Sequence, residues 1–282
     1  MNIGIVGLGL IGGSVAKAIK HDTSHTVLGF DIDRNVVNKA KLLDVIDVEL
    51  TDERIGLCDM IIVALYPADI VRWVTDNEPR FKRECIVTDC GGVKGYICER
   101  LFPLAAEKGF TFIGAHPMAG LERSGFDNAQ GRIFRNASIV MTAPRGTDLE
   151  LLHFLKKFWG ALGFTNFEYT TPEEHDRRIA FTSQLAHVVS SAYIKSPSAL
   201  LQHGFSAGSY KDMTRVARLN ERMWSELFLE NGAFLSDEIG ALIEGLQEYR
   251  DAIDAGDAAR LTELLRLGRE RKEQADREDT VE

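Results

Sequence analysis

The stretch that decides the fold is MNIGIVGLGLIGGS, residues 1–14. Its first six residues are mostly apolar and form one short predicted strand, and an apolar-periodic helix is predicted from near Val15. Between them lie Gly7, Gly9 and Gly12, in the spacing G-x-G-x-x-G. In such a turn the first glycine permits a tight bend, the second keeps side chains away from a phosphate group, and the third lets the helix pack closely on the strand. The pattern predicts a dinucleotide-binding strand, turn and helix.

The second predicted strand makes this signal specific, because a glycine pattern alone is weak evidence. Strand Thr26–Phe30 is followed by Asp31, nineteen residues after Gly12, where a carboxylate would accept hydrogen bonds from an adenosine ribose. A carboxylate there would also repel a 2′-phosphate, so we predict NAD rather than NADP, although Arg34 leaves some room for NADP. A glycine-rich turn without any ligand is the plain alternative.

Composition narrows the class of protein. The chain has 282 residues and a net charge of −9 at pH 7, so neither nucleic acid nor an anionic membrane surface is an expected partner. No apolar run approaches the roughly 18 residues that span a bilayer, and no charged segment precedes the first strand. We therefore expect a cytoplasmic protein. The four cysteines fit no C-x-x-C or zinc pattern, so we expect buried free thiols and no metal.

The order of the predicted elements divides the chain near residue 170. Up to that point strands alternate with helices, which predicts an α/β Rossmann-type domain of residues 1–170. Beyond it the strand pattern disappears, and helical periods predict an all-α domain of residues 171–282. Because long apolar helices after a Rossmann domain commonly complete a substrate site and pair between subunits, we expect a homodimer. The later predicted elements are strands Met60–Leu65, Cys85–Asp89, Thr111–Ala115, Ala137–Thr142 and Asn166–Tyr169, helices Glu173–Ile194, Asp212–Ala217, Glu221–Asp254 and Asp257–Glu273, and a frayed tail, Gln274–Glu282.

The carboxyl ends of parallel strands line the ligand cleft of a doubly wound sheet, which places further residues at the cofactor. They come from the glycine turn, from the end of the strand that starts at Met60, and from the turn between Asp89 and Lys94. The predicted cofactor-binding residues are Gly7, Leu8, Gly9, Leu10, Ile11, Gly12, Asp31, Arg34, Ala64, Leu65, Tyr66, Pro67 and Gly92.

His116 is the sharpest candidate for chemistry. It follows the predicted strand Thr111–Ala115 at the carboxyl edge, and Pro117 is expected to end the ladder there. A histidine titrates near neutrality, so it can accept a proton from a hydroxyl while a hydride leaves the same carbon. The alternative is a strand-end histidine whose ring is satisfied by the backbone.

Arg215 and Glu122 are candidates for holding and enclosing a substrate. Arg215 lies in an otherwise apolar helical stretch, where a guanidinium suits a bidentate grip on a carboxylate, unless it forms a structural salt bridge. Glu122 lies in the glycine-containing loop of residues 118–134 and could pair with Arg215 to gate the site, although a solvated loop acid is the plain alternative.

The first predicted helix after residue 170 carries the remaining polar candidates. Ser183 and His187 are four residues apart and therefore share one helix face, with Gln184 turned about a third of the way round. A histidine on an apolar helix is as consistent with a satisfied core residue as with a site residue. His175 and Asp176, near the start of the helix, are expected to cap it or to pair locally.

These motifs together resemble the prephenate and arogenate dehydrogenases of tyrosine biosynthesis. The similar segments run in unbroken order through residues 1 to about 235, and HPMAGLERSG, residues 116–125, is the most specific of them. The others are residues 7–14, 89–94, 183–187, 214–217 and 223–224. The resemblance implies an N-terminal Rossmann domain, a helical dimerisation domain and NAD(P)-dependent oxidative decarboxylation of a cyclohexadienol.

The resemblance also implies roles for individual residues. His116 would engage the ring hydroxyl and Arg215 a substrate carboxylate, and Ser183, His187 and Glu122 would lie around the same pocket. As the hydroxyl proton moves to the histidine and hydride to the nicotinamide, the ring carboxylate leaves as carbon dioxide and the ring becomes aromatic. Because aromatisation makes this step effectively irreversible, the protein need supply mainly position and a base.

Two positions depart from the pattern of that family. A serine is common where this chain has Gly92, and its hydroxyl helps to hold the catalytic histidine and the substrate hydroxyl. A water, Lys94 or another group would have to take its place. A histidine is often found where this chain has Gln184, in the region that meets the substrate side chain. Since a glutamine can serve the keto acid of prephenate or the ammonium of arogenate, arogenate stays a rival for prephenate.

Two other classes of protein remain as alternatives to this interpretation. A 3-hydroxyacid dehydrogenase of the same plan would use a lysine on the first long helix after the boundary, and Glu173–Ile194 contains none. A non-catalytic NAD-responsive protein is suggested by the missing serine at Gly92. It would bind NAD without forming NADH from any cyclohexadienol.

Overall fold

The computed structural model describes residues 1–121 and 123–279. Its strands are β1 (Asn2–Val6), β2 (Thr26–Phe30), β3 (Val48–Glu49), β4 (Met60–Val63), β5 (Ile86–Asp89), β6 (Thr111–Pro117), β7 (Ser138–Thr142) and β8 (Asn166–Thr170). They form one sheet in the order β3-β2-β1-β4-β5-β6-β7-β8, and all neighbours are parallel except β6 and β7. The strand order reverses between β1 and β4, where a doubly wound sheet opens its ligand crevice. The predicted Rossmann-type domain is therefore confirmed.

Helices connect these strands and cover both faces of the sheet. They are α1 (Leu10–Asp22), α2 (Arg34–Leu42), α3 (Asp52–Ile55), α4 (Pro67–Asn77), α5 (Gly95–Lys108) and α6 (Leu149–Ala161). In β1, Ile3 and Ile5 join a core shared with α1, α2 and α6, whereas Val6 joins a core shared with α3, α4 and α5. Because both faces are covered, the central strands read as continuous apolar runs rather than alternating ones. β3 and α3 are too short to leave a periodic pattern, and neither is among the predicted elements.

β6 differs from its prediction, because the strand does not end before His116. It pairs with β5 as far as Ile113, and from Gly114 to Pro117 it pairs with the antiparallel strand β7. The N–H of Ala115 donates to the Asp89 carboxylate on the β5 side, at 3.0 Å. Backbone N–H groups alternate sides along a strand, so the nitrogen of Pro117 faces that same side, where β6 no longer has a strand partner. The proline therefore costs the ladder no hydrogen bond.

The part after residue 170 is helical, as predicted, but its helices are more broken than expected. They are α7 (Pro172–Ile179), α8 (Ala186–Ile194), α9 (Gly208–Thr214), α10 (Glu221–Glu230), α11 (Gly232–Asp254) and α12 (Ala258–Asp279). A π-helical segment, Ala180–Leu185, separates α7 from α8, and Asn231 separates α10 from α11. The expected helix Glu173–Ile194 is therefore helical throughout but contains a π-helical segment, whereas the expected single helix Glu221–Asp254 is wrong in its continuity. The second break falls at Asn231, whose side chain is buried.

The end of the chain is more regular than expected. α12 continues to Asp279, so the frayed tail predicted from Gln274 is wrong for residues 274–279. Ion pairs one helical turn apart, such as Arg269 with Glu273 at 2.6 Å, support the helix although it lacks an apolar face. Residues 280–282 of that prediction lie outside the described residues.

By internal contacts the chain forms two compact units, Met1–Gly232 and a second unit from Ala233 onward. The second unit contains most of α11 and all of α12, joined by a turn in which Gly256 has φ +64°. Arg260 of α12 pairs with Glu248 of α11 at 3.3 Å within this helical hairpin. The division at residue 170, drawn from the change of sequence pattern, stays a prediction.

The cysteines are all free. Cys58, Cys85 and Cys98 are buried and Cys90 is half-buried, in agreement with the expected buried thiols. Burial raises the pKa of both Cys58 and Cys85 to about 12, so these thiols are poor nucleophiles. In the described part of the chain, no helix combines the length and apolar composition that crossing a bilayer requires.

Candidate active site

The turn between β1 and α1 has the backbone geometry that its glycines predict. Gly7 has φ +85°, and a Cβ there would lie 2.5 Å from the Ala64 carbonyl oxygen. A Cβ on Gly12 would lie 1.9 Å from the carbonyl oxygen of Gly7, so α1 packs against the turn more closely than any side chain would allow. Around Gly9 the space is open, and none of the described side chains caps the first N–H groups of α1. These donors are therefore available to a pyrophosphate.

Asp31 stands directly beside this turn. One oxygen of its carboxylate accepts a hydrogen bond from the Leu8 N–H at 2.8 Å, and the other accepts from the Asp33 N–H at 2.9 Å. The carboxylate is thereby fixed next to the glycine turn while remaining half-buried. Arg34, the residue that left room for NADP, is exposed, and its guanidinium donates to the Glu49 carboxylate. The residues at the end of β2 therefore fit a ribose better than a 2′-phosphate.

α10 lies across the carboxyl end of β4, where cofactor contacts are predicted. The strand ends at Val63, two residues before its predicted end, so Ala64 and Leu65 follow it, and Tyr66 precedes Pro67, the first residue of α4. The Glu226 carboxylate accepts a hydrogen bond from the Ala68 N–H at 2.8 Å and so caps α4. The Arg222 guanidinium lies 5.8 Å from the ring centroid of Tyr66. A segment 158 residues later in the chain thus contacts this edge of the sheet.

The turn after β5 is held by a fully buried ion pair. Lys94 Nζ donates to the Asp89 carboxylate, and both side chains have an exposed fraction of 0%. The same carboxylate accepts from the Gly91 N–H at 2.8 Å and from the Ala115 N–H at 3.0 Å. Asp89 therefore ties the turn to β6 one residue before His116. Because the Lys94 ammonium is committed to Asp89, it does not take the place of a hydroxyl at position 92.

Gly92 lies beside the outer nitrogen of His116. A Cβ on Gly92 would be 4.0 Å from His116 Nε2 and 3.3 Å from a methyl group of Leu227, on α10. The glycine therefore leaves a small space between the imidazole and α10. This is the position where a serine hydroxyl could reach Nε2, and in this chain it is open.

The inner nitrogen of His116 faces a second histidine. His116 Nδ1 lies 2.9 Å from His175 Nε2, and His175 Nδ1 lies 2.6 Å from an oxygen of Asp176. The Asp176 carboxylate also accepts from the backbone N–H groups of Lys94 and Gly95, each at 2.7 Å, at the start of α5. His175 and Asp176 are both buried. Three side chains thus form one hydrogen-bonded chain that ends at two backbone donors.

The direction of these hydrogen bonds follows from the carboxylate. Since Asp176 accepts from two backbone N–H groups, it is an acceptor toward His175 as well, and His175 Nδ1 must carry the proton. His175 Nε2 is then an acceptor for the Nδ1–H of His116. This leaves His116 Nε2 with a free lone pair directed toward the space beside Gly92. The arrangement presents a neutral imidazole base.

Electrostatics keep that base unprotonated at neutral pH. Burial lowers the pKa of His116 well below its usual value, and the adjacent His175 and the Lys94 ammonium lower it further. Burial also lowers the pKa of His175, although its hydrogen bond to Asp176 acts in the opposite direction.

Asn231 and Gln184 form hydrogen bonds behind Asp176, on its backbone side. The Asn231 amide nitrogen donates to the Asp176 carbonyl and to the Gln184 side-chain oxygen, both at 2.8 Å. The Gln184 amide nitrogen donates to the Leu227 carbonyl at 3.1 Å. Gln184 is buried with an exposed fraction of 1%. Both ends of its amide are therefore engaged inside the protein, whereas the predicted position of Gln184 is beside the substrate side chain.

Glu230 is an unusual acid beside this group. One of its carboxylate oxygens is buried without a hydrogen-bond partner among the described residues. Burial raises the pKa of Glu230 to about 7, and the nearby Glu226 raises it as well, while Arg100 acts in the opposite direction. The last turn of α10 thus carries a carboxyl group that holds its proton to near neutrality.

The remaining predicted residues lie in or near the helical segments of the first unit. His187 Nδ1 lies 3.3 Å from the Val216 carbonyl, and its ring packs on Trp224 with 3.9 Å between ring centroids. The structure thus brings His187 to the segment that carries Arg215, an exposed residue directly after α9. Ser183 is half-buried in the π-helical segment. Glu122 lies outside the described residues.

Comparison with known proteins decides the family. The model described as the nucleotide-binding domain of prephenate dehydrogenase matches residues 15–165, and the one described as its dimerization domain matches residues 171–267. The chain belongs to the prephenate dehydrogenase family.

Curated relatives and solved structures match nearly all of this family member. The cyclohexadienyl dehydrogenase of Zymomonas mobilis is 28% identical over 93% of the chain and 92% of its own length, and the prephenate dehydrogenase of Bacillus subtilis is 27% identical over 94% and 74%. The prephenate dehydrogenase of Aquifex aeolicus, solved with hydroxyphenyl propionate and NAD+, has a TM-score of 0.82 and 26% identity over 97% of the chain and 98% of its own. The arogenate dehydrogenase of Synechocystis has a TM-score of 0.80 and 27% identity over 98% and 100%.

Sequence reasoning missed three residues in this member of the prephenate dehydrogenase family. His175 and Asp176 do pair with each other, but their longer-range partners overturn the expectation of a purely local role, and the α7 cap is Thr171, which accepts from the Glu174 N–H at 3.2 Å. Asn231, the third, was read as part of a continuous helix. One signal was available: His175 and Asp176 share a face of α7 with the buried Ile179, where unpaired polar groups would be costly.

Proposed function

We propose that this chain catalyses the NAD-dependent oxidative decarboxylation of prephenate to 4-hydroxyphenylpyruvate in tyrosine biosynthesis. The observation that carries the proposal is the free lone pair of His116 Nε2 at the carboxyl edge of a dinucleotide-binding sheet, in a chain of this family. A neutral base at that edge suits removal of a hydroxyl proton from a substrate that loses hydride to a nicotinamide.

The residues at the crevice fit NAD. The open glycine turn and the uncapped start of α1 would hold the pyrophosphate, and Asp31 would accept hydrogen bonds from the ribose hydroxyls. Residues 64–67 and Gly92 would line the part of the crevice that leads to the nicotinamide. When bound, NAD supplies the hydride acceptor for the ring carbon that bears the hydroxyl.

The protein then has to provide a base and hold the substrate. His116 Nε2 takes the hydroxyl proton, Arg215 binds a substrate carboxylate, and the ring carboxylate leaves as carbon dioxide, which makes the ring aromatic. In this proposal Ser183, His187 and Glu122 complete the pocket. Gln184 acts from behind, since its amide joins Leu227 to Asn231. We further propose a homodimer that pairs through residues 171–282, in agreement with the dimerization-domain match.

The cellular compartment of the protein is inferred from its free thiols. Four free cysteines within the first hundred residues suit a reducing compartment, so we propose that the enzyme works in the cytoplasm.

A kinetic comparison of two substrates with two cofactors tests the proposed reaction. We expect prephenate with NAD to give the largest kcat/KM, measured as NADH formation. A larger value for arogenate would contradict the substrate assignment and favour the rival dehydrogenase. NAD binding without NADH formation from either compound would instead support a non-catalytic, NAD-responsive protein.

Replacing the base tests the role of His116. His116→Asn removes the base at a half-buried position, so we expect unchanged NAD affinity and a fall in kcat of about 100-fold or more. Single-turnover NADH formation and NAD titration, measured on the same preparation, separate the two quantities. Near-normal turnover would rule out the assigned role.

A further inference from the structure

The positive charge that forms at the base arises on a half-buried imidazole. When His116 Nε2 accepts a proton, the imidazole becomes a cation in a site where burial already disfavours charge. The charged groups that face it are the Lys94 ammonium, the Asp89 carboxylate that pairs with that ammonium, and the Asp176 carboxylate. Since Lys94 and Asp89 neutralise each other, Asp176 is the one carboxylate among these groups that can balance a new charge.

We propose that His175 and Asp176 are positioning residues for the base: they hold His116 in the tautomer with a free Nε2, and His175 takes up the positive charge that forms during turnover. The inference rests on the proposed function for its second half only. The O–H bond of the substrate breaks and its proton binds His116 Nε2. The Nδ1 proton of His116 moves 2.9 Å along the existing hydrogen bond to His175 Nε2, and the charge comes to rest beside Asp176.

Geometry favours this arrangement over a purely structural one. The His175 ring joins two elements that lie 59 residues apart in the chain, and it bonds through both of its nitrogens. The Asp176 carboxylate lies at the start of α5, where two backbone donors and the helix dipole stabilise a negative charge. An ionised carboxylate that orients a histidine in this way fixes both the tautomer and the ring orientation. The serine absent at position 92 would have acted on Nε2, whereas His175 acts on Nδ1.

Nitrogen NMR of the substrate-free protein tests the tautomer without any turnover. In protein labelled with 15N-histidine, we expect His116 to carry its proton on Nδ1 and to have an unprotonated Nε2. The His116 signals are identified by their loss in His116→Asn. A protonated Nε2 in the wild-type protein would overturn the proposal, whatever the substrate proves to be.

Replacing the carboxylate tests its orienting role. In Asp176→Asn one oxygen becomes an amino group, which must face either the His175 nitrogen or a backbone N–H donor. We therefore expect the population of the His116 Nδ1–H tautomer to fall and kcat to drop by about 100-fold or more. If the amide destabilises the start of α5, the NAD affinity and the thermal midpoint will report it, and the test passes to His175.

Two variants of His175 separate orientation from charge uptake. His175→Gln keeps an acceptor for the Nδ1–H of His116 but cannot hold a positive charge, so we expect the tautomer to persist and kcat to fall about 10-fold. His175→Leu removes the acceptor as well, and we expect a fall of about 100-fold with unchanged KM values. In wild type the first proton on the pair binds at His175, beside Asp176. His175→Gln should therefore change the pH at which kcat falls on the acid side of its profile, because the site that holds this proton is gone.

His21→Gln is the matched control, because His21 forms an exposed pair with the adjacent Asp22 at the same 2.6 Å separation. It should leave kcat, the pH profile and the His116 signals unchanged. A His175→Leu variant with the kcat and pH profile of wild type would overturn the charge-uptake role. Absence of turnover in wild type with every cyclohexadienol would refute the proposed function but leave the NMR result to judge the orientation.

Discussion

The glycine turn and the histidine pair occupy the same edge of one sheet, yet they are built in opposite ways. The turn is one continuous stretch, and its backbone donors are left uncapped. The group behind His116 is assembled from β6, the turn after β5, α7 and Asn231, and its hydrogen bonds are closed within the protein. The difference teaches that a backbone requirement leaves a sequence signature, since only glycine meets it. A side-chain network made of common residue types leaves only a weak signature, such as polar residues on the buried face of α7.

If NAD binding requires the close backbone packing of the glycine turn, one added methyl group in that turn should weaken it. Gly12→Ala would place a Cβ 1.9 Å from the Gly7 carbonyl oxygen, so α1 must move. We expect NAD binding to weaken by about 100-fold or more, with a lower thermal midpoint. Gly9→Ala is the matched variant, because its Cβ meets open space in the protein and only a ligand would feel it. It should keep the thermal midpoint and lose NAD affinity, and full NAD affinity in Gly9→Ala would refute the placement of the pyrophosphate.

Asp31, the carboxylate beside the glycine turn, should influence the choice between NAD and NADP. Asp31→Asn removes the charge that accepts from ribose hydroxyls and repels a 2′-phosphate. We expect the ratio of kcat/KM for NAD over NADP to fall by about 10-fold or more. Asp33→Asn is the control, since Asp33 caps α2 two residues away and should leave the ratio unchanged. An unaltered ratio in Asp31→Asn would shift the selectivity to Glu49 and Arg34.

The space beside His116 should tolerate an added side chain at position 92, whereas the glycine turn should not tolerate one at position 12. A serine at position 92 would meet a methyl group of Leu227 at 3.3 Å, a flexible neighbour, and its hydroxyl could reach His116 Nε2. One added hydrogen bond to the base and the substrate hydroxyl predicts a rise in kcat/KM of up to about 10-fold in Gly92→Ser. Gly92→Ala supplies the same Cβ without the hydroxyl and should not show the rise. A loss of activity in Gly92→Ser alone would mean that the hydroxyl competes with the substrate for Nε2.

The smallest expected effect concerns stability near the histidine pair. The folded-state pKa of Glu230 is about 7, above its ordinary value of 4.5, so the folded protein binds this proton more tightly than the unfolded chain does. The resulting stabilisation is present below pH 4.5 and is lost as the pH rises through about 7. Glu230→Gln should therefore raise the thermal midpoint by a few degrees at pH 8 and change it little at pH 5. Equal shifts at both pH values would show that the carboxyl does not titrate in this range.

The elements that could be predicted from the sequence are those set by local pattern. β2 matches its predicted bounds, and the glycine turn and Asp31 lie together as expected, because spacing and backbone freedom alone decide them. The break between α10 and α11 was missed although Asn231 and Gly232 stand there, a dipeptide that commonly ends a helix. The contact of the Asn231 side chain with Asp176, 55 residues away, could not be predicted, because no periodicity records such a contact.

The candidate site divides in the same way. His116 was found because strand ends in a parallel sheet meet at one edge. Its partner His175 was not, because a histidine followed by an aspartate in a charged helix has the appearance of a local pair. The resemblance to the family placed Gln184 in the region that meets the substrate side chain, whereas its side chain lies in the π-helical segment and is buried.

The π-helical segment of residues 180–185 fixes how α8 is rotated relative to α7, and that rotation depends on one extra residue in the segment. A π turn holds one residue more than an α turn, so deleting one residue there would let the chain run as a regular helix from α7 to α8. Every side chain of α8 would then rotate by about 100° relative to α7. His187 would leave the Val216 carbonyl while His175 stayed beside His116. Loop insertions elsewhere change length alone, whereas an indel here would change which side chains meet the segment that carries Arg215.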